Sequence, residues 1–440
     1  MKITNSCLVI ALVVFVSYSP VRAADPSRFP SKAQVEAIYP QMEALYLDLH
    51  RNPELSSHEE KTAAKIADQL RKLGYKVTTG FGGTGVVGVL KNGSGPTVMI
   101  RAELDALPVE EKTGLPYASQ VKSKNDKGAD VGVMHACGHD LHMAIGMGTA
   151  ALLAQNKDRW RGTFIYVGQP AEETVTGAVA MLKEGLYTRF PKPDFAIAVH
   201  DSSGIAAGKI GYVSGFALAN SDAVEVTIFG RGGHGSAPQV AIDPIVIAAR
   251  TILAWQTLVS RENSPFDPAV VTVGSIHAGT RSNIIPEEAH LQLTVRSYKD
   301  EVRQRLIDGI ARIAKAEAAA AGAEKAPVIE VVETVKAVYN DPKLTERTVA
   351  ALKSALGDSN VELTSPAMAA DDFAEYGRAG VPAFDFWVGA ANQEKLEAAH
   401  KSGQELPGLH SAYFAPDREP SLKTGITAET AAVLELLGKP

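Results

Sequence analysis

Three apolar runs, each ending at a carboxylate or an imidazole, constrain the fold of this chain more than any other feature of its sequence. They are PTVMIRAELDALP (96–108), GTFIYVGQPAEE (162–173) and PDFAIAVHD (193–201). Each reads as a buried strand. Helical stretches lie around them: EEKTAAKIADQLRKLG, which stops at Gly74, and DLHMAIGMGTAALLAQN. Strands separated by helices predict an α/β fold, with a mixed, largely parallel sheet and helices on both faces. In such sheets ligands sit beyond the carboxyl ends of the strands. Asp105, Glu172, Glu173 and His200 all fall there.

The rhythm changes at residues 218–335. DAVEVTIFG, PAVVTVGSIHAG, EEAHLQLTVRSY and APVIEVVETV alternate as strands. Between them lie two amphipathic stretches, DPIVIAARTILAWQTLVSRE and KDEVRQRLIDGIARIAKAEAAAAG. The order βαββαβ suits a small sheet covered on one face by two helices, an inserted α+β domain. Residues 336–440 return to the earlier pattern and end in a helix, TAETAAVLELLG. The expected division is therefore a catalytic domain from 24–217 and 336–440, interrupted by 218–335. A chain of 440 residues is too long for one ordinary core, which agrees.

Residues 1–23 read as a signal peptide: Lys2, the apolar run CLVIALVVFVSY, then VRA before Ala24. The expectation is export, to the periplasm or alternatively to the medium, with no stable membrane anchor after cleavage. Retention of this segment as an N-terminal anchor is the alternative. Cleavage removes two basic residues and takes the formal charge from −6 to −8, 42 basic against 50 acidic. That balance argues against nucleic acid as a partner. It also removes Cys7 and leaves Cys137 as the sole thiol, so no disulfide within the chain is expected.

Cys137 stands in VMHACGHDLHMA, two residues before His139. A thiolate beside imidazoles and carboxylates suits a borderline-soft divalent ion such as Zn²⁺. Gly138 allows tight backbone geometry between the two ligands where a loop turns into a helix. The alternative is a small buried cysteine in a His-rich turn. The adjacent Glu172 and Glu173 point in different directions from a strand end. One can hold metal while the other takes the proton of an attacking water. An exposed acidic turn is the competing reading. His410 lies in the irregular loop LHSAYFAPD, as a ligand or as a surface histidine. His234, in the Gly-rich loop GRGGHGSAPQVAIDP, can offer a hydrogen bond to a carbonyl oxygen, or it can belong to a simple connection.

The segments RAELDALP, MHACGHD, QPAEE, GRGGHGSAP, SNIIPEEA, ADDF and LHSAYF, in that order, resemble the aminoacylase and carboxypeptidase G superfamily of dinuclear metallohydrolases. The likeness is to its amidohydrolase branch, which includes hippurate hydrolases, indoleacetyl-amino acid hydrolases and N-acyl-L-amino acid amidohydrolases. The resemblance implies two divalent metal ions, Zn²⁺ or Mn²⁺, with Co²⁺ or Ni²⁺ as alternatives. It implies Cys137 as the bridging ligand, with His139, Glu173, His200 and His410 completing the set. Glu172 would be the general base and Asp105 would orient a ligating histidine. His234 would polarise the scissile carbonyl, within one chain or from a partner subunit, and Asn283 and Arg296 would grip the substrate. The inserted domain would act as a lid and hold a homodimer together. Glu103, Asp371 and the segment TVT (174–176) depart from the branch's usual residues, and these positions are expected near the pocket wall.

The resulting expectation is a metal-dependent amidohydrolase that cleaves N-acyl amino acids, a small-molecule substrate class. A dipeptidase or carboxypeptidase of the same superfamily is the nearest alternative. An exported solute-binding protein without catalysis, or a hydrolase using Cys137 as nucleophile, are the others.

Overall fold

The structure is a computed structural model that describes residues 28–125 and 127–439. The signal peptide expected at 1–23 lies outside the described residues. In chain order the first part forms helices α1 (Lys32–Arg51) and α2 (Glu60–Lys72), and strands β1 (Lys76–Phe81), β2 (Gly85–Asn92) and β3 (Thr97–Glu103). Helix α3 (His139–Gln155) and strands β4 (Gly162–Gln169), β5 (Phe195–Ala206) and β6 (Ile210–Tyr212) follow. Next come β7 (Asn220–Phe229), α4 (Pro244–Thr257), β8 (Ala269–Ala278), β9 (Glu288–Ser297), α5 (Asp300–Ala320) and β10 (Val328–Val335). The chain returns through α6 (Pro342–Leu356), β11 (Val361–Leu363), β12 (Ala383–Ala391) and α7 (Arg418–Leu436).

Eight strands form one mixed sheet in the order β1-β2-β4-β3-β5-β12-β6-β11. Its centre, from β4 through β3 and β5 to β12, is parallel. Every residue of β3 and of β4 is buried, which is why both read as continuous apolar runs. One face packs against α1, α2, α3, α6 and α7. The other carries shorter segments around Met181, Leu186 and Phe373. Helix α3 is buried on all sides from His139 to Leu153, so it shows no amphipathic stripe. It lies close against α7: a Cβ on Gly148 would come within 2.6 Å of Ile426, and one on Gly425 within 2.3 Å of Ile145.

Residues 220–335 build a second, antiparallel sheet in the order β8-β9-β7-β10. Helices α4 and α5 cover one face through Ile247, Trp255, Leu306 and Ile310. The indole of Trp255 donates to the Ile310 carbonyl at 3.0 Å. The helix starts follow from sequence: Asp243 and Asp341 each cap a helix whose first residue is proline. Among the described residues no helix is long and apolar enough to cross a membrane.

Candidate metal centre

The carboxyl edge of the parallel strands gathers the side chains. Asp105 follows β3, Glu172 and Glu173 follow β4, and His200 lies within β5, which runs on to Ala206. Cys137 and His139 flank Gly138, the residue capping α3. Gly138 has φ +76°, and a Cβ there would sit 2.5 Å from Asp201 Oδ1, so only glycine fits. His410 holds φ +65°, a strained conformation for a residue with a side chain, and its amide donates to the Ala136 carbonyl at 2.8 Å. The turn carrying the glutamates is strained on both sides, with Ala171 at φ +51° and Val175 at φ +50°.

Cys137 Sγ lies 3.6 Å from His200 Nε2 and 3.3 Å from His410 Nε2. His139 Nε2 is 3.8 Å from Glu172 Oε2 and 3.9 Å from Glu173 Oε1. Glu173 Oε2 is 3.6 Å from His410 Nε2. Two ligands bound tetrahedrally at about 2.1–2.3 Å from one ion stand roughly 3.4–3.8 Å apart. The observed spacings match ligands around a shared ion. Cys137, His139 and Glu173 each offer a donor atom within 4.8 Å of the others. His139 Nε2 and Glu173 Oε1 are buried without a hydrogen-bond partner. Buried polar atoms left without a partner in this way fit ligation of a divalent ion.

The electrostatics agree. Burial works against ionising Cys137, but His200, His139 and His410 hold the thiol well below its ordinary value. Burial pushes Glu173 up to about 8, with the Cys137 charge adding to it. Burial also lifts the Glu172 carboxyl well above the usual range, helped by the negative charge of Asp371 and then of Glu173. Cations in the centre relieve this crowding of anions.

The supports were less legible. His139 Nδ1 lies 2.8 Å from the Asp105 backbone carbonyl and 3.4 Å from Asp105 Oδ1. Asp105 Oδ2 in turn accepts from Ser56 Oγ at 2.6 Å and from the Glu173 amide at 3.0 Å. His142, one turn along α3 from His139, has both ring nitrogens engaged. Its Nδ1 is 3.0 Å from Glu103 Oε2, and its Nε2 accepts from the Asp201 amide at 2.9 Å. The Asp201 carbonyl lies 2.9 Å from His200 Nδ1. His142 thus links Glu103 to the backbone that holds His200, a contact the sequence reading missed, and Glu103, His139, His142 and His200 also offer donor atoms within 4.8 Å of one another. The three-residue step from His139 was the available signal.

Arg101, fully buried, donates to Glu103, Asp371 and Asp372, and its Nε reaches Gln169 Oε1 at 3.0 Å. Of the departures expected near the pocket wall, Asp371 and Val175 do line the cavity. Glu103 does not: it is fully buried, held between Arg101 and His142.

A cavity of about 560 Å³ opens over the cluster. Cys137, Glu172, Glu173, His200 and His410 line one side, and Arg296 reaches in from β9. His234 and Asn283 are brought beside each other, since Gly235 N donates to the Asn283 carbonyl at 2.8 Å, but neither lines this cavity. His234 is exposed, its Nδ1 lying 2.7 Å from Ser236 Oγ.

The site, the fold and the family they belong to define a metal-dependent hydrolase acting on amides. The chain belongs to peptidase family M20/M25/M40, whose model matches residues 99–408. It is 36% identical over 396 residues to thermostable carboxypeptidase 2 of Saccharolobus solfataricus, covering 89% of this chain and 94% of that protein. It is 38% identical over 335 residues to the hippurate hydrolase of Campylobacter jejuni, covering 76% and 84%. Among solved structures it is similar to a Bacillus subtilis protein described as a dinuclear metal-binding peptidase of the M20 family. That match has a TM-score of 0.73 and 30% identity, and covers 90% of this chain and 98% of that one.

Proposed function

We propose that the chain hydrolyses N-acyl amino acids to a carboxylic acid and a free amino acid. The observation that carries this is the position of Glu172. It is a buried carboxylate beside the ligand cluster, lining a cavity that Arg296 also lines. Cys137, as the bridge, with His139, Glu173, His200 and His410, would hold two divalent ions, Zn²⁺ or Mn²⁺ with Co²⁺ or Ni²⁺ as alternatives. When bound, such ions would supply Lewis acidity toward an amide carbonyl and lower the pKa of water. Glu172 takes the proton from the attacking water and delivers it to the leaving amine. Asp105 fixes His139 through the ring edge that faces away from the cluster. Arg296 receives the substrate carboxylate.

The remaining parts follow from the same reading. Residues 24–217 and 336–440 act as the catalytic domain, and 218–335 as a lid that holds a homodimer. Exposed apolar side chains support that surface, among them Leu253 at 72% and Phe266 at 91% exposure. A dimer would let His234 and Asn283 act on the carbonyl oxygen in the partner's cavity. Export to the periplasm, with secretion as the alternative, follows the N-terminal signal.

The carboxypeptidase relative supports a second reading, a dipeptidase or carboxypeptidase. Metal-loaded protein given matched N-acyl amino acids and free dipeptides separates the two. The proposal expects turnover of the acylated compounds and little of those with a free α-amino group. The reverse preference would overturn it. No turnover across the whole panel would favour a binding protein.

A further inference from the structure

We propose that Glu333 makes this site selective for leaving amino acids that carry a cationic side chain. The inference rests on the N-acyl amino acid reading. Part of the cavity wall comes from the second sheet and includes Ser221, Arg296, Glu333 and Val335. In register, Ser221 on β7 stands between Arg296 on β9 and Val335 on β10. Glu333, opposite Ala223, lies two residues before Val335 on the same strand, and residues two apart share a face. Arg296 and Glu333 thus flank β7 and face one cavity with opposite charges.

Among the described residues neither side chain sits in an ion pair within 4 Å, and the opposite charge acting most on Arg296 is Glu333 itself, followed by Asp222. The Arg296 guanidinium makes only long contacts, 3.3 Å to Thr294 Oγ1 and 3.5 Å to the Met368 carbonyl. A leaving group with a carboxylate alone is drawn to Arg296 and repelled by Glu333. One with a carboxylate and a distal ammonium satisfies both. A neutral side chain of the same length gains nothing from the Glu333 carboxylate. The wall therefore favours lysine-like leaving groups over their neutral isosteres. Because Glu333 is exposed in the open cavity, the effect is a moderate one.

The test compares kcat/KM for Nα-acetyl-lysine and N-acetyl-norleucine, which differ only in the terminal ammonium, on metal-loaded enzyme at low and high salt. The expectation is a preference for the lysine compound of about tenfold at low salt, carried by KM and shrinking as salt screens the pair. Glu333→Gln brings the ratio close to unity and Glu333→Lys inverts it. Wild-type enzyme that turns over both compounds equally would overturn the inference while leaving the proposed function standing. So would a ratio untouched by Glu333→Gln. Metal-loaded enzyme that cleaves neither, but cleaves free dipeptides, would overturn the functional reading and this inference with it.

Discussion

Position 138 shows how much of the site hangs on single residues. Any side chain there collides with the Asp201 carboxylate and needs a left-handed backbone besides. Gly138→Ala is expected to cost at least about 1 kcal/mol in urea unfolding. It should also weaken metal binding, because Cys137 and His139 stand on either side of the turn; titration with metal measures that loss. Glu172 tests chemistry rather than architecture. Glu172→Gln should lower kcat by roughly 10²- to 10⁴-fold. Metal content and KM should stay close to wild type, since the proton transfer alone is removed. Near-normal turnover in a fully metallated Glu172→Gln protein would show that another group moves the proton.

At the scale of elements, α1 is fastened to the first turn of α3 and to the loop at Glu111 by an imidazole held between two carboxylates. His50, in the last turn of α1, lies 2.7 Å from Asp140 Oδ2 through Nδ1 and 3.2 Å from Glu111 Oε1 through Nε2. Burial opposes its charge, but the two carboxylates prevail and raise it to about 10. A value raised on folding stabilises fully below the unfolded value, about 6.5. The contribution then fades as pH climbs through about 10. His50→Gln should therefore cost on the order of 3 kcal/mol near pH 6. The gap from wild type should narrow steadily on the alkaline side, as denaturant melts at several pH values would record. A gap independent of pH would mean that the imidazole is neutral in the fold.

The same scale explains what could be read in advance. Strands β3, β4 and β5 were legible because burial on both faces leaves apolar runs. The order βαββαβ was legible from its alternation. The hairpin β1–β2 was not read, since much of β1 is exposed and carries no apolar run. Cys137, His139 and the glutamate pair announced themselves by spacing along the chain. The contacts of His142 did not, because Glu103 and Asp201 lie 39 and 59 residues away and meet it only once the strands have stacked. The Arg101–Asp371 pair, 270 residues apart, was hidden for the same reason.

For the whole molecule, the second sheet supplies one wall of the cavity and the first sheet supplies the chemistry. If the inserted segment also pairs two copies, sedimentation should report a dimer, and Leu253→Glu should shift it toward monomer. A loss of amide turnover on dissociation would tie His234 or Asn283 to the partner's cavity. A monomeric wild type with full activity would confine them to structural roles. The central claim is that the Cys137 cluster holds the ions on which hydrolysis depends. Elemental analysis of active protein, repeated after chelation and on Cys137→Ala, tests it most directly. The account predicts two divalent ions per chain. Activity should disappear with the ions and return with them, and the variant should bind fewer ions and turn over at least about a hundredfold more slowly. Full hydrolytic activity in a metal-free preparation, or in a Cys137→Ala protein that still holds both ions, would contradict it.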